Sequence, residues 1–259
     1  MAKDEKRHWD RLAGKYNIEI FDVFNSDRNE VLTQYFDRYA NQAHTAVDFG
    51  CGNGKAFPYL VPRFGEVWGL DISQNLLDVA ALRGYDRVRL AQADLVKPAR
   101  KLPRGEFAFC CNVAILPGID VNQAIIRNIR SSVKPGGAAV FVIPSFESAA
   151  FAMWRLVEWY GREGVNPAEI SRDELALFGG SKTDLVQGLL RIDGVTTKHY
   201  SEPEIRYLFT QAGFKQVNTD RIEYNWTSEF ENPPRWMKDP VGGVSRLVNS
   251  IAQPNSRLF

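Results

Sequence analysis

From Thr45 to Ile143 the chain alternates between short apolar runs and longer stretches with the character of helices. The apolar runs predict buried strands, among them residues 87–90, 107–113 and 139–143. Strands and helices that alternate in this way are typical of a mostly parallel sheet covered by helices on both faces. The pattern therefore predicts a doubly wound α/β domain.

Helix signals lie between and after these runs. Ser73 and Asp120 each suit the N-cap of a helix, because a short polar side chain can accept a hydrogen bond from the first turn. Residues 201–204, Ser-Glu-Pro-Glu, have the spacing of a capping box and predict the start of a further helix. After it, residues 217–226 predict a sixth strand. Residues 242–251 make a poor seventh, because Gly-Gly, Ser and Asn interrupt their apolar positions.

Two segments lie outside the alternating core. Residues 1–41 predict two helices around an apolar cluster made by Ile18, Ile20, Phe21, Val23 and Phe24. Residues 145–200 form too long a connection for a structureless loop, and their apolar positions predict a helix with a large apolar surface. That helix is either an extra element packed on the core or part of a lid over the carboxyl edge of the sheet, where such folds bind ligands. We favour the lid. The predicted organisation is residues 1–41 as an N-terminal helical lid, 42–144 as the ligand-binding core, 145–200 as a second lid and 201–259 as the completion of the core.

A glycine-rich turn follows the first apolar run. In the stretch Asp48-Phe49-Gly50-Cys51-Gly52-Asn53-Gly54, an acid is followed by glycine at every second position. Glycine permits a left-handed backbone and lets a ligand approach the backbone N–H groups closely. The next apolar run ends at Asp71, where an acid can accept hydrogen bonds from both ribose hydroxyls. The dinucleotide pattern Gly-x-Gly-x-x-Gly fails, because its last glycine would fall at Lys55.

The spacing Asp-x-Gly-x-Gly-x-Gly instead resembles motif I of the class I S-adenosylmethionine (SAM)-dependent methyltransferases of the small-molecule type. Three more segments match that family in order and approximate spacing: residues 93–95 (Ala-Asp-Leu), residues 107–113, and residues 132–137 before the fifth strand. The resemblance extends from about Trp9 to Ile222 and implies a Rossmann-like, seven-stranded sheet with helical lid insertions. The fourth strand departs from the family, which often has an acid at the place of Ala108.

The resemblance also implies the cofactor contacts, with SAM as substrate and S-adenosylhomocysteine (SAH) as product. Asp48 and the turn would shape the methionine side, Asp71 would bind ribose, and Asp94 would accept a hydrogen bond from adenine. The residues expected to contact SAM are Asp48, Gly50, Cys51, Gly52, Gly54, Asp71, Ile72, Asp94, Leu95 and Asn112.

Three side chains are candidates for orienting the acceptor. Tyr16 lies in a segment that resembles the N-terminal part closing over SAM in related enzymes, although it also suits a core aromatic. Glu147 follows the fifth strand, next to Ser145, which is also suited to cap a helix. His199 is the general base expected by residue type, and its alternative is a surface histidine before a helix. His44 precedes the first strand, at the opposite end of the sheet, and is interpreted as structural.

Methyl transfer needs an acceptor held in line with the leaving sulfur, so positioning and desolvation supply most of the rate. A base is required only when the acceptor is protonated. Two other readings stay open on the sequence alone. One is an enzyme of the same fold that cyclises SAM or transfers its aminocarboxypropyl group, releasing methylthioadenosine. The other is a non-catalytic SAM-binding protein.

The composition of the chain limits the binding partners and the cellular location that we expect. The chain has 259 residues and a net charge of +1, so no broad electrostatic attraction favours nucleic acid or an anionic membrane. Its charged N-terminus does not resemble a secretory signal, and no apolar run is long enough to span a bilayer. Three cysteines suggest no disulfide framework or metal site, which fits a reducing cytoplasm. We expect a soluble, cytoplasmic enzyme without a bound metal, acting on a small molecule with some apolar area. The oligomeric state is left open.

Overall fold

The computed structural model describes residues 2–12, 23–27, 29–98, 102–171, 182–192, 195–224 and 245–254. The predicted cluster residues Ile18, Ile20 and Phe21, and the candidate Tyr16, lie outside the described residues. Within the described part, no helix is long and apolar enough to cross a membrane.

Five parallel strands form the centre of the molecule, in the order β3-β2-β1-β4-β5. Their bounds are β1 Asn41–Phe49, β2 Phe64–Asp71, β3 Val88–Gln92, β4 Gly105–Cys111 and β5 Val133–Pro144. The predicted Rossmann-like α/β fold is therefore confirmed. Because β1 lies at the centre and its neighbours continue to opposite sides, its carboxyl end opens at the switch point where doubly wound sheets bind ligands.

Helices cover both faces of this sheet. They are α1 Ala2–Leu12, α2 Val23–Ser26, α3 Val31–Tyr39, α4 Phe57–Leu60, α5 Gln74–Ala81, α6 Ile119–Ser132, α7 Phe146–Arg162, α8 Lys182–Val186 and α9 Glu202–Gln211, with a 3₁₀ turn at Pro167–Glu169. Ser73 caps α5 as predicted, since its Oγ accepts a hydrogen bond from the Leu76 N–H at 3.2 Å. Gly118, and not Asp120, stands at the N-cap of α6, so the predicted cap is wrong by two residues.

The two faces of the sheet bury separate apolar clusters. On one face, Phe36 of α3 packs edge-on against Phe109 of β4, with ring centroids 5.1 Å apart. On the other, α6 contributes three buried isoleucines, Ile125, Ile126 and Ile129. Fully burying a side chain of this size stabilises the fold by about 1.5–3 kcal/mol. Helices α2 and α3 pack on one face of the sheet, with Phe24 stacked on Tyr59 at 4.3 Å.

Two antiparallel strands follow at the β5 edge. They are β8, Phe214–Tyr224, and β9, Ser245–Pro254, and β9 pairs with both β5 and β8. From the apolar pattern alone, residues 242–251 were predicted to form a poor strand. Neighbours on both sides satisfy the backbone hydrogen bonds of β9, so its polar residues do not prevent pairing.

The connection from β5 to α9 has structure of its own, as its length required. It contains α7, α8 and a two-stranded hairpin of β6 (Leu189–Ile192) and β7 (Val195–Lys198). Ser145 caps α7 by accepting a hydrogen bond from the Ser148 N–H at 3.2 Å. The capping box predicted at 201–204 is wrong in detail, because Ser201 makes no side-chain cap and Glu204 pairs with Lys198 instead.

Candidate functional site

The glycine-rich turn joins β1 to the elements on both sides of it. Gly50, Gly52 and Gly54 have φ values of 78°, 54° and 80°, a conformation that favours glycine. The N–H groups of Gly50 and Cys51 both donate to the Leu70 carbonyl, at 2.7 and 2.9 Å. A Cβ atom on Gly50 would lie only 2.2 Å from Cγ2 of Val113, so the turn and the loop after β4 approach as closely as glycine allows.

Cys51 contributes backbone rather than thiol chemistry to this turn. Its carbonyl accepts a hydrogen bond from the Gly54 N–H at 2.8 Å, and its side chain is buried. Burial, and then the nearby carboxylates of Asp48 and Asp71, raise the pKa of the thiol well above its ordinary value. The thiol therefore stays protonated and is a poor nucleophile.

Asp71 stands at the end of β2 with both carboxylate oxygens directed at backbone groups. Oδ2 accepts from the Gly52 N–H and Oδ1 from the Ser73 N–H, each at 2.9 Å. Burial raises the pKa of Asp71, while these hydrogen bonds oppose the rise. A carboxylate has about four acceptor positions, so the backbone hydrogen bonds leave part of its acceptor capacity for hydroxyl donors.

Asp48 and Asn112 carry buried oxygens that lack donors. Asp48 is 2% exposed, and neither its Oδ2 nor Oδ1 of Asn112 has a hydrogen-bond partner within the described residues. Burial, reinforced by the charge of Asp71, raises the pKa of Asp48 well above its ordinary value. The two residues lie at the carboxyl ends of neighbouring strands, since β1 pairs with β4. Acceptors without donors suit a cationic N–H ligand and are unsuited to a phosphate.

The segment after β3 lies beside Asp71. The Ala93 N–H donates to the Asp71 carbonyl at 2.8 Å, which fixes Asp94 and Leu95 next to the end of β2. Oδ1 of Asp94 accepts from the Val96 N–H at 3.1 Å, and Leu95 is buried. Ile72 is half-buried in the same place. The structure thus brings together the two segments, 71–72 and 94–95, that the sequence predicted for the nucleoside.

Asp10 of α1 also reaches this region, which the sequence did not predict. The Ser73 hydroxyl donates to Oδ1 of Asp10 at 2.5 Å, and Nδ2 of Asn75 donates to the Asp10 carbonyl at 3.1 Å. The hydrogen-bonded ion pair with Lys6, and then the hydrogen bond from Ser73, lower the pKa of Asp10. In sequence, Lys6 and Asp10 resemble an ordinary surface pair of a helix, so no motif marked the residue.

The acceptor candidates meet different surroundings. Both carboxylate oxygens of Glu147 accept hydrogen bonds, from the Ser145 hydroxyl at 2.9 Å and from the Glu202 N–H at 3.0 Å, so Glu147 links the starts of α7 and α9.

His199 is buried, at 7% exposure, so the alternative prediction of a surface histidine is wrong. Its Nδ1 lies 3.2 Å from the Thr197 carbonyl, and burial lowers its pKa to about 4. His44 lies in β1 beside Asn41, away from this edge.

Comparison with known proteins agrees with this geometry. A family model described as a methyltransferase domain matches residues 47–141. The chain is 26% identical over 190 residues to dTDP-3-amino-3,4,6-trideoxy-alpha-D-glucopyranose N,N-dimethyltransferase of Streptomyces venezuelae, covering 71% of this chain and 78% of that protein.

Solved structures share the fold. The DhpI–SAM–HEP complex aligns with a TM-score of 0.60 at 16% identity over 96% of both chains. The N-methyltransferase NodS from Bradyrhizobium japonicum WM9, in complex with SAH, aligns with a TM-score of 0.59 at 12% identity over 97% of this chain and 98% of that one.

The domain match, the relative and the shared fold agree with the motif order and with the geometry of the glycine-rich turn. Residues 47–141 form a methyltransferase domain, and its motifs and fold are those of a class I SAM-dependent methyltransferase. Its cofactor is accordingly SAM, and the nicotinamide reading already failed at Lys55.

Proposed function

We propose that this methyltransferase modifies a small molecule enclosed between α1 and the segment 145–200. Two contacts at the carboxyl edge of the sheet support the proposal. On one side, Asp10 of α1 bonds to Ser73 after β2. On the other, Tyr200 forms a parallel bridge with Ser145 at the end of β5. An edge covered from both sides suits a small acceptor better than a polymer.

The proposal extends to the whole chain. The five parallel strands and the antiparallel pair β8–β9 would form one seven-stranded sheet. Residues 42–144 would be the cofactor-binding core, which residues 201–259 complete, and residues 1–41 and 145–200 would supply the lid. The packing of α2 and α3 on the sheet supports a narrower N-terminal lid made by α1.

The assignment of cofactor contacts follows from acceptor chemistry. Asp71 would bind the ribose hydroxyls with its remaining acceptor capacity, and Asp94 and Leu95 would hold the adenine edge beside Ile72. Asp48, Asn112 and the turn Gly50–Gly54 would hold the methionine end, where an ammonium group supplies the missing donors. Bound SAM supplies an electrophilic methyl group on a positively charged sulfur.

The protein's part of the chemistry is then to orient the acceptor and exclude water. With a pKa of about 4, His199 is neutral at physiological pH and suits a hydrogen-bond acceptor better than a general base. We propose that His199 and Glu147 orient the acceptor at the mouth, together with Tyr16. The relative and NodS are both N-methyltransferases by name, which favours an amino nitrogen that enters with its lone pair free.

Methyl-labelled SAM tests the acceptor class. The purified chain is incubated with the label and, in parallel, with a panel of small amines, alcohols and thiols, with total RNA, and with unfolded protein. We expect label in a small amine, and a rate that rises with pH as that amine loses its proton. Label that enters only RNA or protein would contradict the proposal, and Asp71→Ala should reduce transfer in every arm at limiting SAM.

A further inference from the structure

The segment Lys198–Tyr200 connects the two walls of the site mouth. On the β5 side, the Tyr200 carbonyl accepts from the Phe146 N–H at 2.9 Å, which joins it to the start of α7. On the β4 side, the Lys198 N–H donates to the Ile115 carbonyl at 2.8 Å. The end of the long insertion is therefore tied to the loop that follows β4, which we call the donor loop (residues 112–118).

The side chain of Tyr200 makes a second tie to the donor loop. It is 1% exposed, and its hydroxyl donates to the Ala114 carbonyl at 2.5 Å. Burial raises the pKa of this phenol, so it remains a neutral donor. A buried carbonyl deprived of its donor costs about 1–3 kcal/mol, so the hydroxyl stabilises this placement of the loop.

Lys198 in turn fixes the Tyr200 ring. Its ammonium group is buried and donates to the His199 carbonyl and to Glu204, each at 2.7 Å. It also lies 4.5 Å from the centre of the Tyr200 ring, within the range of a cation–π interaction. The ring is thus held by charge as well as by packing.

The donor loop begins with a residue in a left-handed conformation. Asn112 has a φ of 54°, which asparagine adopts more readily than other non-glycine residues. Such conformations persist where the surroundings hold them. Asn122 holds the far end of the loop through hydrogen bonds to the N–H and carbonyl of Leu116, at 3.0 and 2.6 Å. Tyr200 holds its middle, two residues beyond Asn112.

We propose that Tyr200, fixed by Lys198, is a positioning residue for the methyl-donor side of the site. Its hydroxyl keeps the donor loop in the arrangement that presents Asn112 to the cofactor. This proposal rests on the proposed cofactor contact of Asn112 and names the group that maintains it. It also couples the insertion that covers the acceptor to the loop that meets the methyl donor.

Tyr200→Phe is the direct test, because it removes one hydroxyl and keeps the ring beneath Lys198. Tyr207→Phe is the matched control, since Tyr207 is 64% exposed on α9. Calorimetry should show SAH binding weakened about threefold to tenfold in Tyr200→Phe, as expected for one hydrogen bond, and unchanged in Tyr207→Phe. Equal affinity in both variants would overturn the proposal.

A double-mutant cycle with Asn112→Ala separates positioning from general destabilisation. If Tyr200 acts through Asn112, Tyr200→Phe should weaken SAH binding in the wild-type background and have no further effect in Asn112→Ala. If the two losses of affinity simply add in the double variant, the coupling is contradicted. It is also contradicted if Tyr200→Phe weakens SAH binding while Asn112→Ala alone does not. Lys198→Met provides a second variant and should weaken SAH binding by a similar factor.

Hydrogen exchange distinguishes this proposal from the cofactor assignment. In the free protein, Tyr200→Phe should accelerate exchange of the donor-loop amides, and Tyr207→Phe should not. If the wild-type chain fails to bind SAM or SAH, the assignment of the cofactor contacts fails, while faster exchange would still support the tie itself. Unchanged exchange in Tyr200→Phe would reject the tie whatever the cofactor.

Discussion

Asp48 and Asn112 each keep a buried oxygen that nothing in the described part of the chain satisfies. An unsatisfied buried acceptor costs about 1–3 kcal/mol, and the two residues lie at the carboxyl ends of the neighbouring strands β1 and β4. We infer that these two unsatisfied oxygens lower the stability of the free protein. An ammonium group that donates hydrogen bonds to them would restore it. Function and stability therefore oppose each other at this position, which makes the interpretation testable.

Asp48→Asn should raise the melting temperature of the free protein and weaken SAH binding. The folded protein holds Asp48 at a raised pKa, so it keeps a proton that the unfolded chain releases above the ordinary aspartate pKa of 3.8. Wild-type stability therefore falls as pH rises from that value towards the folded pKa, and the variant escapes the loss. At neutral pH we expect a gain of about 2–8 °C, on the scale of 1–3 kcal/mol.

The pH dependence provides the check on Asp48. The two melting temperatures should converge below the unfolded pKa and separate as pH rises. Asp86→Asn, on an exposed carboxylate, should leave both stability and affinity unchanged. A variant that is less stable than wild type at neutral pH, or binds SAH equally well, would show that Asp48 is satisfied in the free protein and does not hold the ligand.

Asp71→Ala should weaken SAH binding about tenfold to a hundredfold, since charge-assisted hydrogen bonds contribute about 1.5–3 kcal/mol. Because Asp71 also accepts from Gly52 and Ser73, part of the loss would come from the released turn. Asp78→Asn, on the exposed side of α5, serves as the control. Calorimetry that finds a folded Asp71→Ala protein with wild-type affinity would show that the ribose contact is misassigned.

At the scale of elements, two constraints require glycine in the turn after β1. One is the left-handed backbone, and the other is the close approach of neighbouring atoms. Gly50 and Gly84 both have left-handed backbones, with φ of 78° and 68°. A Cβ on Gly50 would collide with Val113, whereas one on Gly84 meets nothing within 4 Å. The two positions therefore separate backbone strain from the close approach of the turn to the donor loop.

Gly84→Ala should cost about 1–2 kcal/mol of stability, the penalty of a left-handed alanine, with SAH affinity unchanged. Gly50→Ala should cost more and should also remove measurable SAH binding, because Val113 and the donor loop must move. Chemical denaturation and calorimetry on both variants measure the two effects. Equal losses of stability with retained binding would show that the approach of the two loops is incidental.

The elements that sequence predicted well are those with a local signal. Asp48, Asp71 and Asp94 each follow an apolar run, so their common edge follows from parallel pairing. Three features depend on residues distant in the sequence and had no local signal. They are the hydrogen bond from Ser73 to Asp10, the hydrogen bond from Tyr200 to Ala114, and the pairing of β9. The burial of His199 is of the same kind, because the hairpin β6–β7 returns it to the interior.

At the scale of the whole molecule, two parts from outside the parallel core each contact the carboxyl edge of the sheet. The α1 helix approaches from the β2 side and the insertion from the β5 side. SAH binding should therefore protect amides of α1 and of the donor loop in hydrogen exchange, in addition to those of the turns after β1 and β2. Protection confined to the two turns would show that α1 and the insertion are rigid and do not respond to the cofactor.

The nucleoside product of turnover tests the central claim most directly. Methyl transfer, aminocarboxypropyl transfer and cyclisation all use SAM, and they differ in which carbon bonded to sulfur is attacked. Mass spectrometry of a reaction with SAM and an accepted small molecule should find SAH in equal amount to an acceptor heavier by one methylene unit. Methylthioadenosine as the enzyme-dependent product, with no methylated acceptor, would contradict the account.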